Sequence, residues 1–185
     1  MKGERNLEQR LIATRELDVE AKAHHIEVAE LCNKYRVRRL VQTDLDSIYN
    51  LSVGNKIYYQ YHSPFVTRES ILEDMTVLPP GKHSCDKYYV GFFEKEVLIA
   101  VMDLISDYPE TDCGFIGLFM MDDKFQNKGI GSDIIHDVLG YLKMSKFKKV
   151  RLGVDKGNPQ SYSFWRKNGF YVISENEYIV MEQLL

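Results

Sequence analysis

A mixed α/β domain is the fold class this sequence predicts, on three observations. Apolar, β-favouring runs at residues 88–93, 97–106 and 113–121 follow one another closely. The last of them leads through KFQNKGIGSD, residues 124–133, into a stretch whose apolar residues recur at helical spacing. A further strand at 150–154 is then followed by a helix with a good start signal and by two short closing strands.

Between Glu4 and Val53 there is no glycine or proline, and residues 4–34 are rich in Glu, Ala, Leu, Lys and Arg, which favours one long helix or two shorter ones. Its apolar positions, Leu7, Leu11, Val19, Ala23, Ile26 and Ala29, keep helical spacing only loosely, and suit packing against the domain or a homodimer contact. A short strand over Tyr35 to Arg39 follows. Thr43, three residues before Asp46, is a capping-box-like start for a helix to Val53, and Thr67 opens another to Met75, ended by Pro79, Pro80 and Gly81. The runs 88–93 and 97–106 are separated by three charged residues, which is hairpin spacing. CGFIGLFMM, residues 113–121, carries no charge and reads as a central strand covered on both faces, with Gly117 marking a bulge. After the glycine turn, Ile130, Ile134, Ile135, Val138, Leu139 and Leu142 form one helical stripe. In GNPQSYSFWRKNGF, Asn158 suits the N-cap, Pro159 the first helical position and Gly169 the left-handed residue past the end. Strands at 170–174 and 178–181 close the chain.

Bulk properties narrow the function classes. A chain of 185 residues, 44% hydrophobic and 28% charged, holds one full core. A formal net charge of -3 argues against nucleic acid as the main partner, although Arg36–Arg39 and Lys143–Arg151 are locally basic and read as solvated faces or strand edges. Cys32, Cys85 and Cys113 show no CxxC spacing and the histidines no ligand pattern, so neither a disulfide framework nor a metal is expected. The charged start, MKGERNLEQR, lacks the apolar run of a signal peptide, and no stretch reaches membrane-spanning length; a cytoplasmic protein without membrane attachment is the expectation.

The turn at 126–131 fits neither of two common phosphate-binding loops. The spacing and following lysine of a Walker loop are missing, and Ile134 stands where a dinucleotide fingerprint needs its third glycine. What remains is a strand, a short connection and backbone amides turning into a helix N-terminus, which suits a pyrophosphate or a plain tight turn. QNKGIG resembles the Q/RxxGxG/A loop of the GNAT superfamily of acetyl-CoA-dependent N-acetyltransferases, and NPQSYSFWRKNGF resembles that family's later segment. The diagnostic residues span Cys113 to Phe170; the likeness in layout runs from about residue 35 to the C-terminus. The resemblance implies a GNAT-like, mostly antiparallel central sheet flanked by helices over residues 35–185, with residues 1–34 as an extra N-terminal helical segment.

It also implies roles. Acetyl-CoA would be the donor, with the backbone of Phe119, Met120 and Met121 bonding its pantetheine arm. Gln126, Asn127, Lys128, Gly129, Ile130, Gly131 and Ser132 would hold the pyrophosphate, and Asn158, Ser161 and Trp165 would flank the pantetheine and thiol. The acceptor would be a primary amine of a small molecule or a protein, with Tyr58, Tyr59, Tyr61 and His62 either lining its pocket or forming part of a core. Two departures stand out. The central strand lacks the glutamate many relatives use as base, with Asp103, Asp112 and Asp122 nearby reading as solvated strand-end carboxylates. Trp165 occupies the place of the family's tyrosine acid, and an indole does not release its proton near neutrality. Tyr162, three residues earlier, is the substitute acid or an ordinary half-buried tyrosine. These departures keep a non-catalytic acyl-CoA-binding module open beside the enzyme.

Overall fold

A computed structural model describes residues 24–185 of the protein. The predicted helical extension falls mostly on residues 1–23, outside the described residues. Its described end, residues 24–34, is irregular chain with one 3-10 turn at Val28–Glu30, not α-helix. Tertiary contacts override the helix-favouring composition there: Ile26, Leu31 and Cys32 are buried in the core. The Ile26 amide donates to Tyr88 Oη at 3.1 Å, and the Asn33 amide to Asp137 at 2.8 Å.

The elements that follow are β1 (Arg36–Arg39), α1 (Leu45–Gly54), α2 (Lys56–Tyr61), α3 (Arg68–Asp74), β2 (Lys87–Glu94), β3 (Val97–Ile105) and β4 (Cys113–Met121). After them come α4 (Ile130–Met144), β5 (Lys149–Asp155), α5 (Pro159–Lys167), β6 (Tyr171–Glu175) and β7 (Tyr178–Leu184). The seven strands make one sheet, ordered β1-β2-β3-β4-β5-β7-β6, in which only β4 and β5 run parallel. The start of α1 differs from the sequence reading. Asp44, rather than Thr43, is the anchor: it accepts from the Val41 amide at 2.9 Å and from both terminal nitrogens of Arg38 at 2.7 Å. The Arg38 guanidinium holds the Asp44 carboxyl below its ordinary range. Thr67 does cap α3, accepting from the Ser70 amide at 3.1 Å.

Helices cover both faces of the sheet. Ile134, Ile135, Val138 and Leu142 of α4 pack with Val90, Met102 and Ile116 on one face. Ile48 and Leu51 of α1 and Ile71 of α3 pack with Tyr89, Val101 and Met120 on the other. Double coverage is why β2 and β3 read as near-continuous apolar runs. β4 is different: its ends are buried, whereas Gly117 is exposed and Leu118 and Phe119 are half-buried. The register between β3 and β4 slips at this point, Asp103 facing Leu118 and Leu104 facing Ile116, so Gly117 is the extra residue of a bulge, as predicted.

Candidate active site

The parallel ladder between β4 and β5 stops early. Cys113–Ile116 pair with Lys149–Leu152, yet both strands continue, β4 to Met121 and β5 to Asp155. Beyond the Ile116–Leu152 rung the strands part around a cleft of about 930 Å³. β5 keeps its partner β7 along its whole length, so β4 is the strand with an open edge.

The direction of that edge follows from strand parity. The Asp122 amide donates to Ile99 of β3 at 2.9 Å. Alternate residues direct their backbone groups to the same side, so Met120 bonds toward β3 while Phe119 and Met121 face the gap. The Met121 carbonyl is indeed engaged from elsewhere, by Asn55 Nδ2 at 2.9 Å and Gln126 Nε2 at 3.1 Å. Gln126 Nε2 also donates to Asn55 Oδ1 at 2.8 Å, so one amide network ties the end of α1 to the loop after β4.

The loop itself is shaped for an anion. Asn127 has φ 59 and Gly129 φ 81, the left-handed region that glycine enters freely. The first helical bond of α4 runs from the Asp133 amide to the Gly129 carbonyl, which leaves the amides of Ile130, Gly131 and Ser132 without helical acceptors. A Cβ on Gly129 would meet nothing within 4 Å, so the space above it is open; one on Gly131 would stand 3.3 Å from Phe164. Gly131 thus lets α4 lie close to α5. Asn158 caps α5 as predicted, its Oδ1 accepting from the Ser161 amide at 3.0 Å.

Of the residues singled out from the sequence, Phe119, Met120, Met121, Gln126, Asn127, Gly129, Gly131, Ser132, Asn158, Ser161, Trp165, Tyr58 and His62 line this cleft. Lys128, Ile130, Tyr59, Tyr61 and Tyr162 do not. Lys128 lies over the Phe125 ring, 5.6 Å from its centroid. Tyr59 packs into the α1–α3 side of the core, Tyr61 is exposed, and Tyr162 is 36% exposed. Trp165 is buried, with Phe164 and Phe170 each 5.0 Å away, ring centroid to centroid. Asn55, Asp155, Gln160 and Tyr178 also line the cleft. Sequence reasoning missed them, since each acquires its meaning only through a partner distant in the chain.

The carboxylates are rearranged relative to expectation. Asp103 sits within β3, not at a strand end, and burial pushes its carboxyl up although Lys87 Nζ, 2.7 Å away, opposes this. Its Oδ2 occupies the space a Cβ on Gly117 would need, at 2.9 Å, and its Oδ1 is buried without a partner among the described residues. It lies against the back of the bulge and does not line the cleft. Asp112 belongs to a different group, in which His24, Asp107 and Asp112 bring ligand-type atoms within 4.8 Å of one another. These contacts fasten the N-terminal segment: His24 Nδ1 lies 2.9 Å from Asp107, and Lys148 neutralises Asp112 at 2.6 Å.

A parted pair of parallel strands, an open β4 edge and a glycine turn onto a helix N-terminus make one continuous site. The family model described as the acetyltransferase (GNAT) family matches residues 45–170, which contain all three features. The chain belongs to the GNAT acetyltransferase family. Solved structures agree on the fold of this GNAT protein. The PaiA N-acetyltransferase of Thermoplasma acidophilum in complex with coenzyme A is 18% identical, over 82% of this chain and 99% of that one, with TM-score 0.62. An acetyltransferase from Thermus thermophilus is 15% identical, over 82% and 97%, with TM-score 0.68. The ribosomal-protein-S18-alanine N-acetyltransferase of Escherichia coli is 12% identical, over 81% and 93%, with TM-score 0.59. Among curated proteins none matches at a significant level. No helix of the described residues is long and apolar enough to cross a membrane.

Proposed function

We propose that the protein transfers the acetyl group of acetyl-CoA to a primary amine of a small molecule or a protein. The observation that carries this reading is the open β4 edge at Phe119 and Met121, continuous with the free amides of Gly131 and Ser132. The residues present fit coenzyme A. Its pyrophosphate would rest on amides rather than on basic side chains, over a Gly129 that leaves the space clear. Its arm would enter the gap between β4 and β5, where the Phe119 backbone and the Met121 amide replace the missing rungs and Asn158 stands at the far wall. When bound, acetyl-CoA supplies the activated acyl group. The chain's part is to orient the thioester and to offer a gap-facing amide to the negative charge that grows on its carbonyl oxygen.

On the other side of the cleft Tyr58, His62, Asp155 and Tyr178 form the acceptor wall. Their ring faces and the Asp155 carboxylate suit an amine that arrives as a cation. Trp165 packs the floor near the thiol and donates no proton. A free thiol with an ordinary pKa of about 8.5 leaves readily without an acid. The test is incubation with acetyl-CoA and a panel of primary amines while free thiol is followed. Amine-dependent release is expected; tight acetyl-CoA binding with no release across the panel would instead identify a non-catalytic acyl-CoA-binding module.

A further inference from the structure

An alkylamine has an ordinary pKa of about 10.4, so at neutral pH it reaches the cleft as the unreactive ammonium ion. The central strand carries no carboxylate, and Asp103 lies behind the bulge. His62 does line the cleft, at the C-terminal end of α2, and it is not solitary. Its Nδ1 lies 3.2 and 3.3 Å from the two oxygens of Asp155, 93 residues away in sequence, and its ring stacks on Tyr58 at 4.9 Å and 29°. Asp155 ends β5, three residues beyond Leu152; Phe119 on the opposite arm is three residues beyond Ile116. The His62–Asp155 pair therefore stands across the gap from the backbone edge assigned to the thioester.

On the reading that the protein acetylates an amine, we propose that His62 is the base that deprotonates it and that Asp155 is its positioning residue. With Nδ1–H donated to the Asp155 carboxylate, the lone pair is fixed on Nε2, which has no partner among the described residues. One ammonium proton passes to Nε2. The freed nitrogen lone pair forms the N–C bond to the thioester carbon, and the C–S bond breaks with its electrons on sulfur. Sulfur takes up the proton that the new amide nitrogen sheds, and His62 returns its own to solvent. The charged or titratable groups facing His62 are Asp155 from β5, Tyr58 from its own helix and Asp74 from α3, with Tyr178 of β7 and Lys167 of α5 on the same cleft. Burial pushes the Tyr58 phenol well above its ordinary range, so Tyr58 stays neutral and acts as a stacking surface.

The wild-type protein, His62→Gln and Asp155→Asn are compared on the best amine of the panel between pH 6 and 10, about the span over which imidazole and then free amine titrate. Acetyl-CoA affinity is measured separately by calorimetry. The His62 side chain is 42% exposed, so its replacement leaves the core intact. His62→Gln should lower kcat/KM about 100-fold at pH 7, the lower end for loss of a general base, and leave acetyl-CoA affinity unchanged. Its deficit should shrink as pH rises and the amine deprotonates unaided. His62→Ala should recover activity with added imidazole, and Asp155→Asn should lose about tenfold while moving the acid limb of the pH profile, as a tautomer defect does. A His62→Gln activity within about twofold of wild type with an unchanged profile would overturn the assignment alone. A wild-type protein inactive on every amine would overturn the acetylation reading with it.

Discussion

The two walls of the cleft are built from different materials. The wall assigned to the donor is backbone: the Phe119 and Met121 edge, the amides of Gly131 and Ser132 and the left-handed Asn127 and Gly129. The wall assigned to the acceptor is side chain: Tyr58, His62, Asp155 and Tyr178, drawn from α2 and its C-terminal end, β5 and β7. A backbone wall recognises a shape any sequence with the right glycines can produce, so it fits one common donor. A side-chain wall can be exchanged residue by residue without disturbing the sheet, so it is where the proposed function puts specificity for the acceptor.

The sharpest way to break this contrast is to put a side chain into the donor wall. Gly131→Leu would drive a branched group at Phe164, already 3.3 Å from a bare Cβ, and push α4 off the proposed pyrophosphate site. Losing about two charge-assisted hydrogen bonds predicts acetyl-CoA affinity reduced about 100-fold by calorimetry, with the pH profile of residual turnover unchanged. Asn55→Ala removes the amide that joins the walls through Met121 and Gln126, and should lower kcat/KM about tenfold through both substrates in steady-state kinetics. Asp44→Asn weakens the tether from Arg38 that starts α1, and should cost about 1 kcal/mol in urea melts at pH 7. The sign follows from the lowered carboxyl: wild type's advantage is full above the ordinary carboxylate pKa of about 3.9 and fades as pH falls through the lower folded value. Smallest of all, Tyr162→Phe should leave turnover within about twofold, because this tyrosine lies off the cleft. A larger loss, with a shifted pH profile, would restore it as an acid.

The same contrast explains what the sequence disclosed. Gly117, Gly129 and Gly169 announced a bulge, a left-handed turn and a helix end because glycine chemistry is local: the residue itself states the backbone geometry it permits. The stripe of α4 and the Asn158 cap were legible for the same reason. His62 and Asp155 were not legible as a pair, since only the path of β5 past α2 brings them together. Asp103 read as a strand-end carboxylate because its neighbours in sequence do not reveal Gly117 across the ladder. The tyrosine-rich run at 55–65 hid the short helix α2, whose six residues depend on packing rather than propensity. Residues 24–34 misled in the opposite direction, their helix-favouring composition yielding to the burial of Ile26 and Leu31.

The bulge at Gly117 also sets the phase of its strand. Ahead of it the even-numbered residues of β4 look toward α4: Ile116 is in that core, and Gly114 approaches Leu142. Past it the odd-numbered Phe119 and Met121 take that direction, and Leu118 and Met120 turn to the opposite face. One inserted residue shifts the alternation of the strand by half a period. A strand running through Gly117 without the bulge would instead keep strict alternation and exchange the two faces of the distal half-strand. The amides now turned to the gap would be lost to β3, Phe119 would leave its aromatic neighbours, and the protein would keep a longer uninterrupted ladder while losing the edge assigned to the donor.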